Sequence, residues 1–227
     1  LGDVYKRQIL FSFLLLSTTL TCAQTFTQWR DSLKTLNRQA ALYPDSLELQ
    51  LGKAAVNLQL LEWEDAIRTC NDILTKDKNN LSALYYRAYA NNNLRRHELA
   101  KNDYERFVSM SPRNMEARLG LAYTYTKLDR NIDALNETST LIELYPDSSI
   151  VYEARAEIEK NMKAYDAALY DLDEAIKRDP KNSDLFVSKV EILILLNRKK
   201  DAKNALDEAV RNGVPRGTLL EWYKKCK

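Results

Sequence analysis

The sequence predicts an all-α chain, a solenoid of five tandem helical hairpins, and three observations predict it. Ala66, Ala100, Ala134, Ala168 and Ala202 recur with a period of 34 residues, a spacing that marks a repeat architecture. Between these markers the apolar residues follow helical spacing: Ala66, Ile67, Cys70, Ile73 and Leu74 form one stripe. Leu99, Ala100, Tyr104, Phe107 and Val108 repeat it, as do Ala168, Leu169, Leu172, Ala175 and Ile176, where a strand would alternate. Only five Gly and five Pro occur in 227 residues, too few for the tight turns of a barrel or sandwich.

The N-terminus divides in three. Leu1 to Gln8 lacks an initiator Met and reads as a translated sequencing adaptor, so it is set aside. Ile9 to Leu20 is apolar but too short to span a bilayer as a stable helix. Thr21-Cys22-Ala23 then places small residues three before and immediately before a cut ahead of Gln24. Residues 1–23 are therefore expected to be a signal peptide, and the mature chain to be exported to the periplasm or envelope of a Gram-negative bacterium. Thr19-Leu20-Thr21-Cys22 also approaches a lipoprotein signal, although Thr19 and Thr21 match it poorly. A lipid anchor at Cys22 is thus the alternative, and it would tether the chain without a transmembrane span. Thr27 to Leu42 carries Trp29, Leu33, Leu36 and Ala40 at helical spacing, so 24–46 is expected to be an N-terminal capping helix.

The hairpins follow as 47–80, 81–114, 115–148, 149–182 and 183–214. Twelve residues before each marker alanine stands Ala54, Ala88, Ala122, Ala156 or Val190, side chains short enough for helix axes to approach closely. Pro44, Pro112, Pro146 and Pro180 share one phase, while Lys78 and Val214 depart from it. Each breakpoint precedes Asp45-Ser46, Asn79-Asn80, Asn114, Asp147-Ser148 or Asn182-Ser183, since Pro cannot continue a helix and Asp, Asn or Ser can cap the next. Residues 215–227 are expected to close the stack as a C-terminal capping helix with Leu219, Leu220, Tyr223 and Cys226 on one face. The charged end at Lys224, Lys225 and Lys227 reads as its solvated side.

This pattern resembles the tetratricopeptide repeat (TPR) family, whose unit has a small eighth residue, Ala at twenty, apolar residues at twenty-four and twenty-seven, and Pro at thirty-two. The resemblance covers residues 47–214; it departs at the fourth residue, where the family's Trp is Gln50, Leu84, Arg118, Tyr152 or Phe186. It implies a right-handed alpha-alpha superhelix whose first helices line a concave, partner-binding groove. Carried over residue by residue, the facing positions are Leu51, Ala55, Leu58 and Gln59, then Tyr85, Tyr89, Asn92 and Asn93. Glu116, Leu119, Tyr123, Thr126 and Lys127 follow, and Glu153, Glu157, Lys160 and Asn161 come last. The expected site residues are Tyr85, Tyr89, Asn92, Asn93, Leu119, Tyr123, Thr126 and Glu157. Tyr and Asn suit an extended peptide, combining a large rigid contact area with groups that donate and accept. The bland alternative is that Tyr85 and Tyr89 merely pack between helices. A chaperone-tail clamp is not expected, because Leu51 and Ala55 stand where that clamp has Lys and Asn.

Other chemistry has little to stand on. Without its first 23 residues the chain carries 32 basic and 31 acidic groups, and no nucleic-acid partner is expected from so balanced a surface. His97 is the only His and is expected to be a solvated residue of a hairpin turn. Asp171 and Asp173-Glu174 are expected on exposed helix faces. No catalytic residue, cofactor or metal site is expected, because no Cys/His metal spacing, Gly-rich phosphate loop or nucleophile motif appears. Cys70 reads as a buried thiol and Cys226 as an end residue, outside any disulfide framework. Asn80-Leu81-Ser82 and Asn136-Glu137-Thr138 would carry glycans only in a eukaryotic secretory route. The function expected is a non-catalytic protein–protein interaction scaffold in the cell envelope. The alternatives are a lipid-anchored subunit of an outer-membrane assembly complex and a carbohydrate-binding protein using the aromatic groove.

Overall fold

The structure, a computed structural model, describes the backbone of residues 19–226 and side chains from Thr25 onward. Of the expected signal segment, residues 1–18 lie outside these described residues, and so does the Cys22 side chain that would carry the anchor. The helices are α1 (Thr19–Leu42), α2 (Leu47–Gln59), α3 (Trp63–Lys76), α4 (Leu81–Asn93), α5 (His97–Met110) and α6 (Met115–Lys127). They continue with α7 (Asn131–Leu144), α8 (Ser149–Asn161), α9 (Tyr165–Arg178), α10 (Ser183–Leu195), α11 (Lys199–Arg211) and, after a 3-10 turn over Arg216–Leu219, α12 (Leu220–Lys225). Among the described residues there is no strand, and no helix is long and apolar enough to cross a membrane. The chain forms two compact units, one running to Thr124 and one starting at Tyr125.

The two helices of a hairpin begin differently. Four of the five hairpins' first helices are capped by side chains: Ser46 accepts from the Leu49 amide, Asn80 from Ala83, Asn114 from Ala117 and Asn182 from Asp184, whereas Ser148, expected to do the same, makes no such bond. Each such cap is worth about 1 kcal/mol. Second helices lack side-chain caps at Glu62, Arg96, Arg130, Ala164 and Arg198. They carry acids in the first turn instead, from Glu64 and Asp65 to Asp201, where a negative charge favours the exposed N–H groups.

Every inner turn has one geometry. Leu61, Arg95, Asp129, Lys163 and Asn197 adopt φ of 59°, 58°, 60°, 63° and 58°. The next amide reaches back five residues, as from Glu62 to the Asn57 carbonyl at 2.8 Å and from Arg198 to Leu193 at 2.7 Å. This is the Schellman ending of a helix, here built without glycine at its left-handed position.

The marker alanines sit at these hairpins' centres: Ala66, Ala100, Ala134, Ala168 and Ala202 are all fully buried. Two apolar expectations need correction. Leu99, assigned to the buried stripe, is 54% exposed, because it precedes Ala100 by one residue and so stands about 100° round the helix. Leu220 is exposed while Leu219 is buried, because the 3-10 turn advances the chain by a different angle and re-phases the short α12.

Candidate functional site

In the unit ending at Thr124, Tyr85 and Tyr89 lie four residues apart on α4 and so share a face. Tyr85 meets Tyr104 of α5 edge-on with ring centres 5.7 Å apart, and Phe107 at 6.1 Å. Tyr89 meets Trp63 of α3 in the same way at 5.9 Å. The Tyr104 ring is enclosed and its phenol is pushed well above the usual range, first by burial and then by neighbouring Tyr85, Tyr89, Asp103 and Tyr123. The end of that ring lies over Gly120 of α6, where an added Cβ would stand 2.6 Å from Cζ. Glycine at this helical position is therefore a packing requirement. Nothing in the repeat pattern signals it, since the residue falls outside the repeated small positions.

This arrangement separates the expected site residues into two kinds. Asn92 is buried, donating Nδ2–H to Thr124 Oγ1 at 2.7 Å, with Oδ1 3.0 Å from His97 Nδ1. It ties α4 to α6 and to the start of α5, so it is a structural residue and not the groove residue expected. Tyr85 is half-buried in the aromatic cluster, the packing alternative weighed for it. Tyr123 is 51% exposed, and Asn93 is exposed with its amide donating to the Tyr89 carbonyl. Tyr89 and Leu119 are half-buried. Of the expected residues in this unit, Asn93 and Tyr123 are thus exposed and Tyr85, Tyr89 and Leu119 half-buried, Tyr85 with the most ring contacts.

In the unit from Tyr125 onward, Thr126 is half-buried and Glu157 is exposed, its carboxylate 2.5 Å from Lys160 Nζ. Burial raises the Glu153 carboxyl, helped by Asp184 and Glu157. The expectation for Asp171 fails: it is 1% exposed. Arg155 holds it with a two-pronged contact at 2.6 and 2.8 Å. Arg87 and Asp103, 68 residues earlier in the same register, make the same contact at 2.8 and 2.7 Å. A planar guanidinium fits a carboxylate in this way, and the helix-to-helix spacing of 16 residues was the legible signal. Beside it Glu159 has a buried Oε2 without a partner, and its carboxyl is raised to about 7, chiefly by burial and then by Asp171.

His97 also departs from expectation: it is the first residue of α5 and half-buried against Asn92 rather than solvated. Cys70 is fully buried and its thiol is pushed up to about 12 by burial, the environment of an inert thiol. Among the described residues no group of three His, Cys, Asp or Glu is placed to hold a metal.

Stacked hairpins with buried alanines, closed by Schellman turns and presenting aromatic side chains from their first helices, define an all-α helical-repeat solenoid protein. Residues 82–113 and 162–215 each match a family model described as tetratricopeptide repeat. These two stretches are tetratricopeptide repeats by sequence, and the chain as a whole has the fold of tetratricopeptide repeat proteins. Solved structures carry the same fold. A tetratricopeptide repeat protein from Parabacteroides merdae matches with a TM-score of 0.67 at 20% identity, over 89% of this chain and 79% of that one. A thermophilic TPR protein of Thermus thermophilus matches at 0.62 and 20% identity, over 77% of this chain and 96% of the other. YrrB, described as a TPR protein with an unusual peptide-binding site, matches at 0.60 and 17% identity, over 83% and 97%. No curated protein matches the sequence significantly.

Proposed function

We propose that the chain is a non-catalytic protein–protein interaction scaffold that holds a segment of a partner protein on the first-helix face of its N-terminal unit. The observation that carries this reading is Tyr123, half exposed on α6 beside the half-buried Tyr89 and Leu119. A large aromatic exposed on a packed helical frame, flanked by further apolar surface, marks a contact site. Asn93, at the end of α4, adds an amide able to meet a peptide backbone. The peptide-binding site named for YrrB supports the same class of ligand for this fold. Export to the envelope is part of the proposal and is supported by the apolar run Ile9 to Leu20 followed by Thr21-Cys22-Ala23.

The test is photo-crosslinking from Tyr123, replaced by a benzophenone amino acid in the full chain, in envelope fractions of the native cell. One or a few discrete protein adducts are expected, competed away by excess wild-type chain and not by the Tyr89→Ala/Tyr123→Ala variant. Equal competition by that variant refutes the groove assignment, and recovery of the protein in the cytoplasmic fraction refutes export.

A further inference from the structure

The C-terminal unit contains a depression of about 460 Å³ where the end of α8 and the turn after it face α10 and α12. Its lining is partly apolar, with Leu195, 65% exposed, Ile194 and Trp222. Lys160, Lys163 and Lys225 share this lining. These cations differ in their neighbours. Lys160 is engaged by Glu157 at 2.5 Å and Glu191 at 3.8 Å. Lys163 projects from the left-handed turn position with no ion pair among the described residues. Lys225 Nζ sits 3.9 Å from the centre of the Trp222 ring, a cation–π contact without a carboxylate. A chain of net charge +2 thus concentrates two ammonium groups without a carboxylate partner beside the exposed Leu195 and the half-buried Trp222.

Charge complementarity selects the occupant. Two cations in a partly apolar lining fit one or two carboxylates next to a bulky aliphatic or aromatic side chain. A polyanion is disfavoured, because Glu191 lines the same cavity and Glu157 lies against Lys160. Nucleic-acid surfaces need more cations in a row than this.

We infer that this depression is a second recognition site, for an extended acidic segment of a partner protein, with a carboxylate between Lys163 and Lys225 and an adjacent apolar side chain against Leu195 and Trp222. The inference rests on the scaffold reading in that the ligand is protein, but it uses other residues, all in the unit from Tyr125 onward. No residue of this site belongs to the surface formed by Tyr89, Asn93, Leu119 and Tyr123.

The experiment is selection of a random linear peptide display library on the immobilised full chain, followed by fluorescence anisotropy with the selected peptide made synthetically. The expected outcome is enrichment of Asp or Glu next to Leu, Ile, Phe or Met. Replacing those acids by Asn or Gln is expected to weaken binding roughly tenfold, in keeping with two partly exposed ion pairs, and raising the salt concentration to weaken it too. Lys163→Glu/Lys225→Glu should abolish the enrichment, whereas Tyr89→Ala/Tyr123→Ala should leave it intact. Enrichment without acidic residues, no enrichment, or equal enrichment on the Lys163→Glu/Lys225→Glu variant overturns the proposal. So does sedimentation with phosphatidylglycerol vesicles that the same variant loses while no acidic peptide is selected. A selected motif lost only in the Tyr89→Ala/Tyr123→Ala variant removes this site and leaves the first-helix surface standing. Loss of the Tyr123 crosslink with the acidic motif retained does the reverse.

Discussion

Gly120→Ala asks whether close packing or helix propensity governs the α5–α6 contact. Propensity alone favours the change: alanine in a helix interior is about 1 kcal/mol better than glycine. Packing opposes it, because the new methyl would lie 2.6 Å from Tyr104 Cζ and 2.8 Å from both Cε1 and Oη. The Tyr104 ring has nowhere to retreat, being 1% exposed and met edge-on by Tyr85 at 5.7 Å. Restoring an ordinary carbon contact of roughly 3.5–4.0 Å requires a shift of about 1 Å, and such overpacking costs about 1–3 kcal/mol. With three atoms of the phenol involved the upper part of that range applies, so the net expectation is a destabilisation of about 2 kcal/mol. Gly52→Ala is the control: its Cβ would meet only the flexible end of Leu36, at 3.3 Å. That variant should be about as stable as wild type or up to about 1 kcal/mol more stable. Urea denaturation of the full chain, followed by helical circular dichroism, reads both. Tyr104→Leu removes the colliding atoms, and in that background Gly120→Ala should lose its cost. Stabilisation by Gly120→Ala like that at Gly52, or an undiminished cost in the Tyr104→Leu background, would refute the packing argument.

Two further outcomes follow from single side chains. The Glu159 carboxyl, raised to about 7 against an ordinary 4.5, holds its proton in the folded chain over a range where the unfolded chain has released it. Its contribution to stability is present below pH 4.5, falls as pH rises from 4.5 to about 7, and is absent above. Glu159→Gln should therefore remove that slope and add about 1–2 kcal/mol at pH 8, a figure reduced from the full shift because the side chain is only partly buried. Equal urea midpoint differences between pH 5 and pH 8 in variant and wild type would contradict this. At the inner turns, Leu61 at φ 59° bears a strain that Asn197 at φ 58° tolerates through its short polar side chain. Leu61→Gly should stabilise the chain by about 0.5–1 kcal/mol while Asn197→Gly changes little; equal effects would show that the left-handed geometry, not the side chain, sets the cost.

The hairpins were legible because they depend on features that sequence displays directly: a fixed period, short side chains where axes meet, and breakpoints followed by capping residues. Ala66 and its four counterparts are buried because each occupies the same crossing point. The site was less legible because a repeat position fixes only a direction on a helix. Tyr85 and Asn92 point from the same helix face as Tyr89, yet Tyr85 is drawn against Tyr104 and Asn92 bonds to Thr124. Those contacts depend on what stands at other helices, and the spacing along one helix does not reveal them. Asp171 misled for the opposite reason: charge suggested solvent, while its partner Arg155 lies across the helix pair and compensates it in the interior. The depression at Lys163 and Lys225 was invisible because it needs a turn residue and the re-phased final helix together.

One register shows how the hairpins share a backbone while differing in chemistry. Asn57, Asn91, Tyr125, Glu159 and Leu193 occupy the same place, and each carbonyl accepts the amide five residues on, at 2.8, 2.8, 2.9, 2.8 and 2.7 Å. The turn thus uses only the backbone of this residue, and amide, phenol, carboxyl and isobutyl side chains all satisfy it. A hairpin that closes equally with Leu193 or Asn91 has no structural need for the carboxyl of Glu159, whose Oε2 is buried without a partner. Folding accounts for the repeated geometry and leaves the differences between hairpins unexplained. The features that distinguish one hairpin from the next, namely the exposed Tyr123, the cations at Lys163 and Lys225 and the partly buried Glu159 with its unpartnered Oε2, are therefore the positions on which the proposed contacts and the expected pH slope depend.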